Sequence, residues 1–313
     1  MNEILPTADY SLLIDQVFDG LDVRNSTIYE YKIRIKHFLS FIATTGMSLN
    51  TFLDYKRELM ANAEYGTATK NKYLTCARIF LRECHRLGLL PRDITTNVKG
   101  FRQSSQHKLS GLSETDVYLI CQWVKAHPDK LREHALLSLL LFQGLRQAEI
   151  CQISRGDVNL DDQTFFILGK GRDDKEKVYL HPETGRALKK YIDSKPFEDT
   201  SYLFTAQKLT SGTVVKLTER GLRYIVKSIF GEVGIDKNVH GFRHYFTTKL
   251  IKSMPGQLTT VAQFTRHRSL SMLQVYNDSI LQENDLPTFY ATFDDVAWPQ
   301  TGYHSLQYAS YSE

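Results

Sequence analysis

The run LREHALLSLLLFQG, Leu131 to Gly144, constrains the fold more than any other stretch. Beyond its first turn it is apolar on nearly every side, so a helix built from it has no broad face suited to water. Such a helix belongs at the centre of a core, with other elements packed around it. Gly144 closes it. A chain of 313 residues is long for one domain, so a second core is expected elsewhere.

That second core falls in the first hundred residues. STIYEYKIRIKHFLSFIATTG places Ile28, Tyr31, Ile35, Phe38, Leu39 and Ile42 at helical spacing, with Ser26 or Thr27 as the cap and Gly46 as the stop. ATKNKYLTCARIFLRECHRLG repeats the pattern through Tyr73, Leu74, Ala77, Phe80 and Leu81, and Gly88 ends it. Residues 1–102 are therefore read as a helical bundle. The polar, basic stretch 103–111 lacks apolar periodicity and reads as a linker. Residues 112–285 form a second domain, opened by Ser113 and Asp116 at capping-box spacing. Within it, QTFFILGKGRDDKEKVYLHP has two β-rich runs around a charged, Gly-containing loop, the pattern of a hairpin. Arg155-Gly156-Asp157 reads as a turn from helix to strand. Helical patterns then return at 182–194, 217–234, 240–253, 258–267 and 269–277. Residues 286–313 are left as an acidic, aromatic tail. The fold class is mainly α with one small β-sheet.

Charge is distributed unevenly. The net formal charge is only +4, but Arg24 to Lys108 holds 15 Lys and Arg against 6 Asp and Glu. After Arg268 there is no Lys or Arg, and there are six acids. A basic front suits a polyanion. Its candidate contacts are Lys32, Lys36, Lys70, Lys72, Arg78, Arg82 and Lys108. Cys76, Cys84, Cys121 and Cys151 show no paired spacing, which fits a reducing compartment. No apolar run reaches the ~20 residues of a membrane span, and the early acids predict no secretory leader. A cytoplasmic protein is expected.

Four separated places hold polar residues that helix cores do not need. GLRQAEI puts Arg146 just past the apolar helix and Glu149 three residues on. GKG puts Lys170 in the hairpin turn, with Lys175 and Lys177 as alternatives for its role. HGFRH sets His240, Arg243 and His244 on adjacent helical turns. RHRSLSMLQVY supplies His267 and, nine residues later, Tyr276. Two arginines can fork onto phosphate oxygens. A lysine on a turn can deliver a proton. Tyrosine can be a covalent nucleophile, given a proton acceptor or a cationic pocket. Together these make an inventory for phosphoryl transfer in which arginines take a metal's place. His240 and His244 have the spacing of a zinc pair, but no third ligand stands at a recognised distance, so no metal is expected.

These motifs, in this order and at these gaps, resemble the tyrosine recombinase (phage integrase) family, over roughly Leu112 to Asp278. The resemblance implies a SAM-like core-binding bundle followed by an α+β catalytic domain, the two closing on a duplex as a C-shape. It implies that Arg146 and Arg243 grip the scissile phosphate. Lys170 protonates the leaving 5′ oxygen, His240 accepts a proton or contacts the phosphate, and His267 hydrogen-bonds it. Tyr276 forms a 3′-phosphotyrosine, with no cofactor, metal or ATP. Glu149 and His244 are read as orienting Arg146, His240 or the backbone. The implied partners are double-stranded DNA bearing inverted repeats, further copies in a tetramer, and an accessory DNA-bending protein. A prokaryotic, viral or mobile-element source is implied, and the acidic tail is a candidate for docking on a neighbouring copy. There are two rivals: a type IB topoisomerase-like nicking and closing enzyme, which His-x-x-Arg followed by a second His fits less well, and a catalytically silent DNA-binding relative, which the intact set argues against. The chain also departs from the family. Thr265-Arg266-His267 stands where Leu-Gly-His is usual, so Arg266 adds a positive charge or a DNA contact beside the pocket, and Leu273 stands where a Thr is common.

Overall fold

The computed structural model describes residues 10–102, 111–169, 174–194, 201–206, 215–267 and 269–292. The chain divides into two compact units, Met1–Ser105 and Gln106–Glu313.

Four helices build the first unit: α1 (Tyr10–Phe18), α2 (Asn25–Thr45), α3 (Thr51–Ala61) and α4 (Thr67–Arg86). The two apolar stripes face each other. Ile35, Phe38 and Ile42 of α2 and Leu74, Phe80 and Leu81 of α4 are buried in one cluster, with Phe52 and Tyr55 of α3. Burying each such side chain stabilises by roughly 1.5–3 kcal/mol before entropy is counted. α2 begins before the expected caps. Arg24 occupies the N-cap in extended conformation, its carbonyl accepts from the N–H groups of Thr27 and Ile28, and no side chain caps the end. Gly46 ends α2 with φ 73°.

The second unit is organised on the apolar helix. After α5 (Glu114–Ala126) comes α6 (Leu131–Leu141), in which all seven residues from Ala135 to Leu141 are buried. The short α7 (Gln147–Ile150) and a 3₁₀ turn at Arg155–Asp157 lead into a three-stranded antiparallel sheet, β1 (Val158–Asn159), β2 (Thr164–Leu168) and β3 (Lys175–Tyr179), in the order β1-β2-β3. The β2–β3 hairpin pairs Leu168 with Lys175. Then come α8 (Pro182–Asp193), α9 (Glu219–Glu232), α10 (His240–Ser253), α11 (Leu258–Thr265) and α12 (Leu270–Ala291). α6 packs on α8 and α10. Ser113 and Asp116 form the capping box at the head of α5.

The expected end of the second domain, residue 285, falls inside α12, which runs to Ala291 with Pro287 within the helix. A mid-helix proline costs about 3 kcal/mol, and here it did not stop the helix. Most of the linker, Lys108 included, and residues 293–313 of the tail lie outside the described residues. No described helix is long and apolar enough to cross a membrane.

Candidate active site

The site begins at the end of α6. Its last turn gives way to Gly144, whose φ is 56°. A Cβ at this position would lie 2.7 Å from Phe246 Cγ, so the turn needs glycine on two counts. The turn delivers Arg146 to the N-cap of α7. Glu149, three residues on and only 1% exposed, accepts from the Arg146 backbone N–H at 2.8 Å and from its Nη1 at 2.7 Å. Arg146 keeps a partly exposed guanidinium, held from behind by a buried carboxylate.

Arg243 on α10 is the hub. It is 4% exposed. Its Nη1 donates to the Gly144 carbonyl at 2.7 Å, and its Nη2 donates to the Thr265 carbonyl and to His267 Nε2 at 3.4 Å. Three segments distant in sequence therefore meet on one side chain. Burial first, then Arg146 and Arg266, pull its pKa down to about 9, with Glu149 and Tyr276 opposing. It stays a cation at neutral pH.

His267 follows the end of α11. Its Nδ1 lies 2.6 Å from Thr265 Oγ1, and that hydroxyl itself donates to the Val261 carbonyl at 2.8 Å. Arg243 has only donors to offer. The consistent assignment is a neutral ring protonated on Nδ1, which donates to Thr265, with the Nε2 lone pair facing Arg243. Burial, then the cations Arg243, Arg146 and Arg266 and finally His240, push its pKa down to about 4, so the ring is neutral at pH 7.

Tyr276 lies on α12, half-buried. Its ring meets His244 edge-on, centroids 4.8 Å apart. Burial raises its pKa and Arg243 works against that rise. His244, expected to orient Arg146, His240 or the backbone, makes this ring contact with the tyrosine and lies 3.4 Å from Thr248 Oγ1 through its Nδ1. His240 is the first residue of α10 and is exposed.

Arg266 was expected to add either a positive charge or a DNA contact beside the pocket, and its side chain is 5% exposed and turns inward. It sits at the C-cap of α11 in the left-handed conformation, φ 54°, which costs a non-glycine residue about 1–2 kcal/mol. Its Nη2 lies 3.4 Å from the Gln143 carbonyl and 3.5 Å from Glu149 Oε2. Burial lowers its pKa while Glu149 opposes. Burial would by itself raise the Glu149 pKa, but Arg266 and then Arg146 hold it below the usual carboxylate range.

Lys170 lies outside the described residues. Its two alternatives are engaged elsewhere. Lys175 pairs with Asp157, and Lys177 lies 5.7 Å over the Tyr179 ring. Strand alternation puts both on the face of β3 opposite Glu176, the residue whose charge reaches Arg266. The candidate DNA contacts of the first unit also differ among themselves. Lys32 is paired with Asp15 at 2.6 Å and Asp19 at 2.8 Å. Arg82 pairs with Asp93, Arg78 donates to the Val98 carbonyl, and Lys70 donates to that of Met60. Lys36 and Lys72 are exposed and make no ion pair among the described residues. No group of three potential metal ligands occurs among the described residues.

Sequence reasoning missed the Gly144 carbonyl as an anchor for Arg243 and Thr265 as the partner of His267. The first had a signal, a glycine directly before the arginine turn. The second had none, because Thr265 reads as an ordinary helix-end threonine.

The model of the phage integrase family matches residues 111–283. The tyrosine recombinase XerC of Halalkalibacterium halodurans is 27% identical over 272 residues, covering 80% of this chain and 86% of the relative. The tyrosine recombinase XerD of Listeria innocua is 23% identical over 292 residues, covering 88% and 94%. Among solved structures, a lambda integrase dimer bound to a core site matches with TM-score 0.65 at 14% identity over 85% of this chain and 76% of that one. The integrase of the transposon Tn1549 with circular intermediate DNA matches with TM-score 0.65 at 16% identity over 85% and 93%. At these identities the two structures show a shared fold.

Proposed function

Because the chain belongs to the phage integrase family, the tyrosine recombinases that carry out site-specific recombination, we propose that Tyr276 is the nucleophile that cuts its DNA. The Tyr276 Oη attacks the scissile phosphorus, and the bond from phosphorus to the 5′ oxygen breaks. The phenol proton passes to His240, and Lys170 gives a proton to the 5′ oxygen. The products are a 3′-phosphotyrosine and a free 5′ hydroxyl. A 5′ hydroxyl from a partner strand then reverses the step. One phosphodiester is exchanged for another through a phosphotyrosine, so the exchange draws on neither ATP nor a metal.

The observation that supports this reading best is the convergence on Arg243. It joins the Arg146 turn to His267, and its charge is felt by Tyr276. Arg146 and Arg243 supply forked donors for the non-bridging oxygens, in a partly dried site where such donors count most. The Nε2 of His267 accepts from Arg243 before DNA arrives. A phosphate anion favours the imidazolium, so the ring becomes a donor to the phosphate as the complex forms. Lys175 pairs with Asp157 and Lys177 lies over the Tyr179 ring, which supports Lys170 as the general acid. Lys36 and Lys72 carry unpaired charge for the DNA backbone, where most affinity arises. DNA with paired inverted repeats, a tetramer of this chain, an accessory bending protein and the docking of the tail, residues 286–313, on a neighbouring copy complete the reading. Integrases of the same fold bound to DNA support DNA as the partner.

The test is a nicked suicide duplex built from DNA flanking the gene. The wild type should trap a covalent protein–DNA adduct without added metal or nucleotide, and Tyr276→Phe should trap none. An adduct formed by Tyr276→Phe would remove the nucleophile assignment. Relaxation of plasmids that lack any site would instead mark a nicking and closing enzyme.

A further inference from the structure

Arg266 breaks two local rules at once. It holds a left-handed backbone conformation that suits glycine, and it buries a guanidinium whose Nε finds no acceptor among the described residues. Buried donors almost always find partners, and departures of this kind cluster where function maintains them. Its Nη1 donates to the Phe264 carbonyl at 3.1 Å, and its Nη2 reaches Glu149 and the Gln143 carbonyl, behind Arg146.

The electrostatic problem it answers can be read from the neighbours. Glu149 is almost fully buried and takes both a backbone and a guanidinium hydrogen bond from Arg146. With Arg146 as its only partner, that pair is close to neutral, and an incoming phosphate meets little net charge from it. A second cation on the same carboxylate changes the sum. The trio Arg146–Glu149–Arg266 carries one net positive charge, and Glu149 still aims Arg146.

We propose that Arg266 is a positioning residue for phosphate binding: a buried counter-charge that shares the Glu149 carboxylate with Arg146, leaves Arg146 with its positive field, and fixes the turn that presents His267. This rests on the recombinase reading above. Arg266 acts through Arg146 and His267 and does not itself meet DNA.

Three variants test this, Arg266→Gly, Arg266→Lys and Arg266→Gly with Glu149→Gln. Glycine accepts the φ of 54° without strain, so the first variant keeps the turn. Its single-turnover adduct rate should fall about 10- to 100-fold, while affinity for the core site and its salt slope stay within about twofold. Arg266→Lys should recover part of the rate. The double variant should recover most of it, because it removes the carboxylate charge along with its partner, and the amide of Glu149→Gln keeps a carbonyl for Arg146. A second readout does not depend on cleavage. In DNA-free protein, NMR titration of the His267 ring, which faces Arg243, Arg146, Arg266 and His240, should move its midpoint upward by roughly one pH unit in Arg266→Gly. Wild-type rate in Arg266→Gly, or a flattened salt slope, would overturn the inference. So would a rate loss without recovery in the double variant, or an unmoved His267 midpoint. Absence of any wild-type adduct would count against the recombinase reading instead, and the His267 titration would then decide the Arg266 inference.

Discussion

Gly144→Ala tests whether the turn after α6 builds the site. The residue has φ 56°, and a Cβ would stand 2.7 Å from Phe246 Cγ. The left-handed conformation costs alanine about 1–2 kcal/mol, and pressing a methyl into a packed ring costs about 1–3 kcal/mol. The sum, about 2–5 kcal/mol, is a large part of the ~5–15 kcal/mol that holds a domain folded. Urea unfolding followed by tryptophan fluorescence measures it cleanly. Both tryptophans, Trp123 and Trp298, belong to the unit Gln106–Glu313. Phe246→Ala separates the two terms. It empties the space, so in its background Gly144→Ala should cost only the backbone share, a coupling of about 1–3 kcal/mol. Adduct formation should suffer beyond stability. The Gly144 carbonyl fixes Arg243 at 2.7 Å, and a displacement of about 1 Å costs on the order of 100-fold in rate. Additivity of the two substitutions within ~0.5 kcal/mol would refute the steric account, and a fully active, stable Gly144→Ala would refute the role of the turn.

Other outcomes follow from the same geometry. Lys170→Ala should cut cleavage of a normal duplex about 100- to 10,000-fold yet leave cleavage of a 5′-bridging phosphorothiolate nearly intact, because a thiolate leaves without a proton; Lys175→Ala and Lys177→Ala should change neither, and a severe loss in either would reassign the acid. In binding titrations against salt, Lys36→Ala and Lys72→Ala should each lower the slope by about 1, whereas Lys32→Ala should lower it little, since Lys32 already serves Asp15 and Asp19. His267 has a folded pKa of about 4, below its ordinary 6.5. Between those values the unfolded chain binds a proton that the folded chain refuses, so stability falls as pH drops from about 7 towards about 4. His267→Gln should flatten that part of the urea-midpoint profile, and an unchanged profile would show the ring to be charged in the folded state.

Much of the fold was legible because burial leaves periodic marks. The stripes of α2 and α4 admit one arrangement, helix against helix in the first unit, and the all-round apolarity of α6 sets it at the centre of the second unit's core. The marks fail at ends. Arg24, not Ser26 or Thr27, starts α2, because backbone carbonyls can begin a helix without a side-chain cap. Pro287 did not end α12, because a proline inside a helix removes one hydrogen bond while neighbouring turns persist. β1, two residues long, is too short to carry alternation at all.

The site divides the same way. Arg146, Arg243, His267 and Tyr276 were legible as candidates because the proposed chemistry calls for particular residue types, and few other residues can replace them. What holds them was not, because it is largely backbone. Arg243 is fixed by the carbonyls of Gly144 and Thr265, which any residue possesses. His267 is fixed by a threonine whose hydroxyl is already bonded within its own helix. Arg266 shows the converse. A cation in a basic stretch reads naturally as a DNA contact, and only the αL turn reveals that its side chain points inward to Glu149. Charge in the sequence therefore says that a site is cationic, whereas burial decides which cations stay open to solvent and which are held inside. In this chain Arg146 keeps solvent access with Arg266 buried behind it, and their shared carboxylate makes the two arginines one electrostatic unit.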